Sequence, residues 1–377
     1  MTTILKIDTA DRGQVRAFLE LPFRLYRDTP QWVPPLAGDS ARMLDRKKHP
    51  YYRHSDAAFF LARQGNNVVG RIAALDNAHY NEYNHERAAF FFLFECLDDP
   101  AAARALFDAA FAWARARGLS KIIGPKGFTA LDGLGLLIKG AEHRPAFGIP
   151  YNPAYYDTLV AAAGFETDGD IVSGYLNPRA LNAPRFEQIS RLAERVKQRR
   201  GLRIARYTRR SELRQHAVPA LLRLYNEALS ETTGNTPLNA DEVRTMADQI
   251  AWFADPKLIK IVMKDDDPVG FLLAYPDVSA ACQRTRGRLF PLGWADFLLE
   301  FKRTRWVNIN GAGISEKYRG MGGTAILFDE MRKSVIEGGF AHADCVQVGV
   351  ENSRMQRELR DLGIDFYKTH RMYHRAL

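Results

Sequence analysis

Cysteine is scarce and scattered in this 377-residue sequence: Cys96, Cys282 and Cys345 form no CxxC pair and have no histidine at ligand spacing. That excludes a disulfide framework and a zinc site, and gives each thiol the role of a small buried side chain. Long apolar runs are also missing. No window reaches the roughly 18 uninterrupted apolar residues of a membrane span. The opening MTTILKIDTADRGQ lacks the basic end and apolar core of a secretory signal, so the expected location is the cytoplasm. Neither GxGxxG with an acid farther on nor GxxxxGK[ST] occurs, which excludes a dinucleotide fingerprint and a nucleoside-triphosphate loop.

With 46% apolar and 26% charged residues, the chain can bury a large core, and its length predicts two domains. A net charge of +9 predicts an anionic partner: nucleic acid, a phosphate-bearing cofactor or an acidic membrane surface. Residues 185–216 concentrate eleven cations against Glu187, Glu194 and Glu212 and read as a helix and strand opening a second domain. Only Phe186 and Tyr207 are interleaved with those cations, too few aromatics for a base-reading surface, so no nucleic acid partner is expected. A solvated helix face accounts for the run equally well.

Two helical stretches (16–26 and 39–47) precede strand-like runs at 58–63 and 68–75, a further strand ending at Glu95, and a helix from Pro100 to Gly118. A short strand KIIG, a Gly-rich excursion to Pro150 and the helix AYYDTLVAAAG close the first half. The second half repeats this order, with helices at 213–230 and 240–254, strands LIKIVMK and PVGFLLAYP, strand WVNINGAGI, a loop and helix, strand CVQVGV, helix SRMQRELRDLG and terminal DFYKTHRMYHR. Duplication is the simplest account.

The loop of the second half reads SEKYRGMGGTA, residues 315–325. Lys317, Gly320 and Gly322 fit the first, fourth and sixth positions of a [Q/R]xxGxG-type signature, with Arg319 alongside and Gly323 and Thr324 leading into a helix. Glycines let backbone N–H groups approach a ligand, and the helix start adds partial positive charge. The product is an anion cradle.

From Val307 to Gly363 the sequence resembles the core of the GCN5-related N-acetyltransferase (GNAT) family. The resemblance implies an α/β fold of tandem GNAT-like domains, each a mixed α+β sheet flanked by helices, with acyl-CoA as co-substrate and no metal. It places Ile314 and Ser315 along the pantetheine arm, Arg319, Gly320, Gly322, Gly323 and Thr324 on the pyrophosphate, and Asn352 at the next helix, facing the pantetheine. Ile364 stands where the family usually has Phe after the Leu362-Gly363 helix end. The tyrosine that in many members protonates the departing thiolate falls at Leu359, which has no proton to give. Either Tyr367, His370 or Tyr373 replaces it, or the thiolate leaves unassisted, or the domain does no chemistry; Asp344, Glu351 and His370 are the candidates to take the proton of the attacking amine.

In the first half the equivalent loop is Cys96-Leu-Asp-Asp-Pro-Ala101, without glycine, and Asp98 and Asp99 would repel a pyrophosphate. The expected organisation is a degenerate GNAT-like domain over residues 1–178 and an acyl-CoA-binding one over 179–377. The second carries an insertion, 283–306, whose apolar centre (Leu289, Phe290, Leu292, Trp294, Phe297, Leu298, Leu299, Phe301) has Arg284, Arg286 and Arg288 before it and Lys302, Arg303 and Arg305 after it. Such a segment suits an interfacial helix on anionic lipid, the wall of an acyl-chain tunnel, or a core helix with basic ends.

A narrower resemblance spans nearly the whole chain, through LYRDTPQWVPPL, GPKGF with GLLIKG, NPAYYDTLVAAAGF, YPD, GRLFPLGW and YKTHRMY. These segments resemble a two-domain GNAT-like branch that includes bacterial ceramide synthases. This resemblance implies transfer of a fatty acyl group from acyl-CoA to the amine of a sphingoid base, at the inner face of the membrane. The alternative is a small-molecule or antibiotic N-acetyltransferase using acetyl-CoA.

Overall fold

Alternating apolar runs in the first half of the chain pair in sequence order. In the computed structural model, which describes residues 1–129, 132–176, 184–207, 209–229, 236–244, 247 and 254–377, strands β1 (Thr2–Lys6), β2 (Asp56–Gln64), β3 (Asn67–Asp76) and β4 (Ala88–Cys96) are antiparallel neighbours. β5 (Lys121–Gly124) lies parallel to β4. The β2–β3 turn needs two residues, and Gly65 supplies the positive φ of 58° that this tight geometry demands. Helices α1 (Arg12–Leu25) and α2 (Ala37–Leu44) precede the hairpin, α3 (Ala78–Asn84) follows it, and α4 (Pro100–Ala116) makes the β4-to-β5 crossover. In α4, Ala103, Phe107, Ala110 and Ala114 recur at three- and four-residue spacing and are buried against the sheet. The short β6 (Leu136–Lys139), α5 (Tyr155–Ala162) and β7 (Glu166–Leu176) complete this half.

The second half builds the same pattern. After α6 (Pro184–Arg200), strands β8 (Leu202–Ala205), β9 (Ile259–Lys264), β10 (Asp267–Pro276) and β11 (Trp306–Ile314) are again antiparallel neighbours, and β12 (His342–Gly349) is parallel to β11. Asp265, with φ of 54°, opens the β9–β10 turn as Gly65 opens the first. Helix α7 (Val218–Leu229) precedes this hairpin, α8 (Ser279–Thr285) and α9 (Gly293–Arg303) follow it, α10 (Gly323–Glu337) makes the crossover, and α11 (Ser353–Asp361) leads to the last strand, β13 (Ile364–Ala376). The expected helix at 240–254 lies largely outside the described residues. Strand β1 is absent from the sequence-based expectation, because five residues without a turn signal carry too little period.

The chain groups into two compact units: Met1–Val172, Val278–Glu300 and Tyr367–Leu377 in one, Ser173–Asp277 and Phe301–Phe366 in the other. The boundary expected at 178/179 lies outside the described residues. Most of the 283–306 insertion and the last strand, assigned by sequence order to the second domain, belong to the first unit. The reason is an edge. β5 has β4 on one side only, and the C-terminal part of β13 supplies its antiparallel neighbour, pairing Tyr373 with Gly124 and Ala376 with Lys121. Reciprocally, β7 begins in the first unit and reaches the second, whose strand order runs β7-β12-β11-β10-β9-β8. Each repeat therefore borrows its last strand from the other. Removing residues 367–377 should consequently unfold the first unit, although it deletes only the end of the second repeat. Thermal denaturation of the truncated chain should show loss of the cooperative transition; an unchanged melting curve would contradict the exchange.

Candidate functional site

In the second unit the β11–β12 ladder runs from Trp306–His342 to Ile309–Cys345 and stops, although the strands continue to Ile314 and Gly349. Beyond that point the two strands part. At the same place β11 carries an extra residue relative to β10: Ala274 opposes Ile309 and Leu272 opposes Ala312, so Asn310 and Gly311 form a bulge. Gly311 has φ of 93°, a conformation that turns the peptide out of the ladder at little cost to glycine.

At the end of β11 the loop of residues 315–322 leads into α10. Gly322, with φ of 87°, is the N-cap, and no side chain caps this helix. The first N–H groups of a 15-residue helix are thus left to an outside acceptor. Glycine is required twice here for space. A Cβ on Gly322 would lie 2.6 Å from Val196 Cγ2, and one on Gly323 2.9 Å from Ile314 Cδ1. Arg319 and Gly320 are exposed, Ser315 and Thr324 half-buried. Ile314 turns its side chain toward the core over Gly270 and Gly323, leaving its backbone to border the loop.

The cation-rich helix α6 supports this loop. Val196 packs beneath Gly322, and Arg200 Nη1 donates to the Gly320 carbonyl at 3.2 Å. Lys197 bridges to Glu330 on α10 at 2.9 Å, and Ser190 hydrogen-bonds Asp329. Among the described residues Glu194, Asp329 and Glu330 approach closely enough to share an ion. Lys197 and Lys333 already neutralise them, so this group serves helix packing.

Just before the strands part lies a buried polar cluster. Asn308, opposite Asp344 in the ladder, donates through Nδ2 to Asp277 Oδ2 at 2.8 Å, and all three side chains are buried. Tyr275 adjoins them. Burial chiefly, with Asp277 and Asp344 acting in the same direction, holds its phenol far above the ordinary value, while hydrogen bonds with Asn310 and Asn308 oppose the shift. It stays protonated at neutral pH. Of the sequence-derived candidates, Asp344 is in this cluster. Glu351 is exposed on the turn after β12, and Asn352 caps α11, accepting from Met355 N at 3.1 Å. Leu359 is buried in the second core.

Tyr367, His370 and Tyr373 belong to the first unit. His370 is fully buried, its Nε2–H donates to Pro150 O at 3.0 Å, and burial lowers its pKa to about 4. Tyr373 is buried and donates to Asp157 Oδ1 at 2.5 Å; Tyr367 accepts from Lys368 Nζ at 2.6 Å. The second-unit candidates lie in the 315–324 loop, on β12 and at the start of α11; Tyr367, His370 and Tyr373 lie on β13.

In the first unit the equivalent helix α4 is closed by its own chain. Asp99 Oδ1 accepts from Ala101 N and Ala102 N, so a carboxylate occupies the position that Gly322 leaves open. At the end of β4, Glu95 is largely but not fully buried, accepting from the phenols of Tyr26 and Tyr156 at 2.6 and 2.8 Å, while the Tyr156 oxygen accepts from Cys96 N. Desolvation raises the Glu95 pKa against the opposing influence of Arg71.

No protein-family model matches the chain. Two curated proteins align along almost all of it. A bacterial ceramide synthase of Caulobacter vibrioides is 28% identical over 374 residues, 97% of this chain and 95% of that protein. Protein YghO of Escherichia coli is 26% identical over 374 residues, 97% and 94%. Among solved structures, a tandem GNAT protein from the clavulanic acid biosynthesis pathway superposes at a TM-score of 0.58 with 12% identity, over 100% of this chain and 98% of that one. The fold is tandem GNAT. A GCN5-related N-acetyltransferase from Sphaerobacter thermophilus gives 0.52 at 12% identity, covering 100% and 95%.

Within this tandem GNAT fold, sequence reasoning missed the support from Val196 and Arg200, the bulge at Asn310-Gly311, and Tyr275, Asp277 and Asn308. Two glycines and two asparagines inside the strand WVNINGAGI were the available signal. Arg319→Glu should weaken CoA binding by about 10- to 100-fold, as expected for charge reversal beside a pyrophosphate. Asp98→Ala should leave affinity unchanged. Calorimetric titration with CoA checks both; equal affinity in Arg319→Glu and wild type would remove the loop assignment.

Proposed function

We propose that this protein is an acyl-CoA-dependent N-acyltransferase of the cytoplasm, acting at a membrane surface and joining a long acyl chain to the amine of a sphingoid base. The observation that carries the acyl-CoA part is the uncapped start of α10 behind its glycine loop, at the end of a strand pair that parts. The lipid part is supported by end-to-end similarity to a bacterial ceramide synthase.

In this reading the CoA pyrophosphate sits on Arg319, Gly320, Gly322, Gly323 and Thr324, with the pantetheine arm along Ile314, Ser315 and the parted strands toward Asn352. The thioester reaches the bulge at Asn310-Gly311. The neutral amine nitrogen then attacks the thioester carbonyl; a C–N bond forms, the C–S bond breaks, and the proton that the nitrogen sheds goes to the departing sulfur, so CoA leaves as the thiol. An amine with a pKa near 10 arrives protonated at pH 7 and must first lose a proton. Asp344 takes that proton, with Asp277 and Asn308 positioning it; Glu351 is exposed and can act only through water. Tyr275, a neutral phenol, is the second unit's proton donor nearest this cluster. His370 and Tyr373 hold the first unit together, and Tyr367 braces Lys368.

The test is a thiol-release assay with product mass, offering palmitoyl-CoA or acetyl-CoA to 3-ketosphinganine and to glucosamine. N-palmitoyl sphingoid product is expected. Preference for acetyl-CoA with the small amine would replace the lipid reading, and absence of thiol release with every pair would overturn acyl transfer. Asp344→Asn should lower turnover at pH 7 by roughly 100- to 10,000-fold, recovering in part at alkaline pH where the free amine predominates, with acyl-CoA affinity unchanged. Wild-type turnover in that variant would remove Asp344 from the mechanism.

A further inference from the structure

The described residues leave eleven large apolar side chains exposed, and five of these, Phe290, Leu292, Trp294, Leu298 and Leu299, fall within ten consecutive residues. Phe290 is 81% and Leu292 74% exposed. Such clustering is unusual for a surface with no partner.

The segment is held rigidly. In the first unit Gly287 O accepts from Ala37 N at 2.9 Å, Gln283 Nε2 donates to the carbonyls of Pro30 and Trp32, and Phe297 is buried. These anchors turn the remaining apolar residues outward. Trp294 and Leu298 are one helical turn apart on α9, Lys302 continues their stripe, and Arg303 follows Leu299 at the same spacing. Arg288, Lys302 and Arg303 are exposed and take part in no ion pair among the described residues. The two acids of the helix, Asp296 and Glu300, are both bound to Arg284. The apolar face is therefore bordered by uncompensated positive charge, while its acids are neutralised from within.

We propose that residues 288–303 form an interfacial anchor that lays Phe290, Leu292, Trp294, Leu298 and Leu299 into the outer region of an anionic bilayer. Charge selects this partner: apolar anchors edged by cations gain from both the acyl region and anionic headgroups. No helix among the described residues is long and apolar enough to cross a membrane. This deepens the lipid-acceptor reading by naming the surface that would deliver the amine, and rests on that reading only for its biological purpose.

The experiment is flotation of the full chain with vesicles of phosphatidylglycerol or of phosphatidylcholine, comparing wild type with Phe290→Asp/Leu292→Asp and with Arg288→Glu/Lys302→Glu. Wild type should bind phosphatidylglycerol vesicles at least about tenfold better than neutral ones, and both double variants should lose about tenfold or more. Quenching of Trp294 by brominated lipid, lost in Trp294→Phe, should accompany binding. Failure to float, or equal flotation of the apolar variant with unchanged melting temperature, would overturn the proposal. So would a dimer that dissociates in the apolar variant without any vesicle binding, which would make this face a self-interface. Transfer to detergent-dispersed sphingoid base should persist in the apolar variant. Vesicle binding without transfer in wild type would overturn the enzymatic reading alone.

Discussion

The first N–H groups of an α-helix have no carbonyl to bond within the helix, and what satisfies them determines what that end of the helix can do. This chain answers the question in two ways on two copies of one fold. At α4 the carboxylate of Asp99 takes the donors of Ala101 and Ala102, and the helix is finished. At α10 the residue in that place is Gly322, which brings no acceptor, and the loop before it adds Arg319. In the second copy no side chain of the chain supplies that acceptor. Both parallel ladders stop short of the strand ends, after Phe90–Ile123 in the first copy and Ile309–Cys345 in the second, and in the first copy Glu95 is hydrogen-bonded there by Tyr26 and Tyr156.

The two copies are tied together by how the strands are shared. Since β7 reaches the second unit and β13 ends in the first, each unit's sheet includes a strand that the other repeat encodes. The closed helix start of the first copy is then compatible with a strict structural need for that copy. His370 and Tyr373 illustrate this: both lie on the strand that follows the second repeat's last helix, and both are buried in the first unit.

Much of this was legible in the sequence. The repeated order of hairpin, strand, crossover helix, strand and helix follows from periodicity and turns, and the glycine loop from its place between an apolar strand and a helix. The exchanged strands were not legible, because nothing in DFYKTHRMYHR tells a strand which sheet it joins. Tyr367, His370 and Tyr373 follow the second repeat in chain order, and nothing in their sequence shows that the strand carrying them groups with the first unit. The role of α6 was hidden for a different reason. Its cations read as a solvated face, and only packing reveals that Val196 lies beneath Gly322 and that Arg200 reaches the Gly320 carbonyl. Asp277 and Asn308 were visible as polar residues in or beside apolar strands, but their hydrogen bond depends on how β10 and β11 lie together.

The claim on which the account rests is that one copy binds CoA and the other has closed its site. Calorimetric titration of the wild-type chain with CoA measures this directly through stoichiometry. One CoA per chain is predicted. Two per chain would mean that Asp99 does not close the first helix to phosphate, and none would mean that the open start of α10 is only a turn.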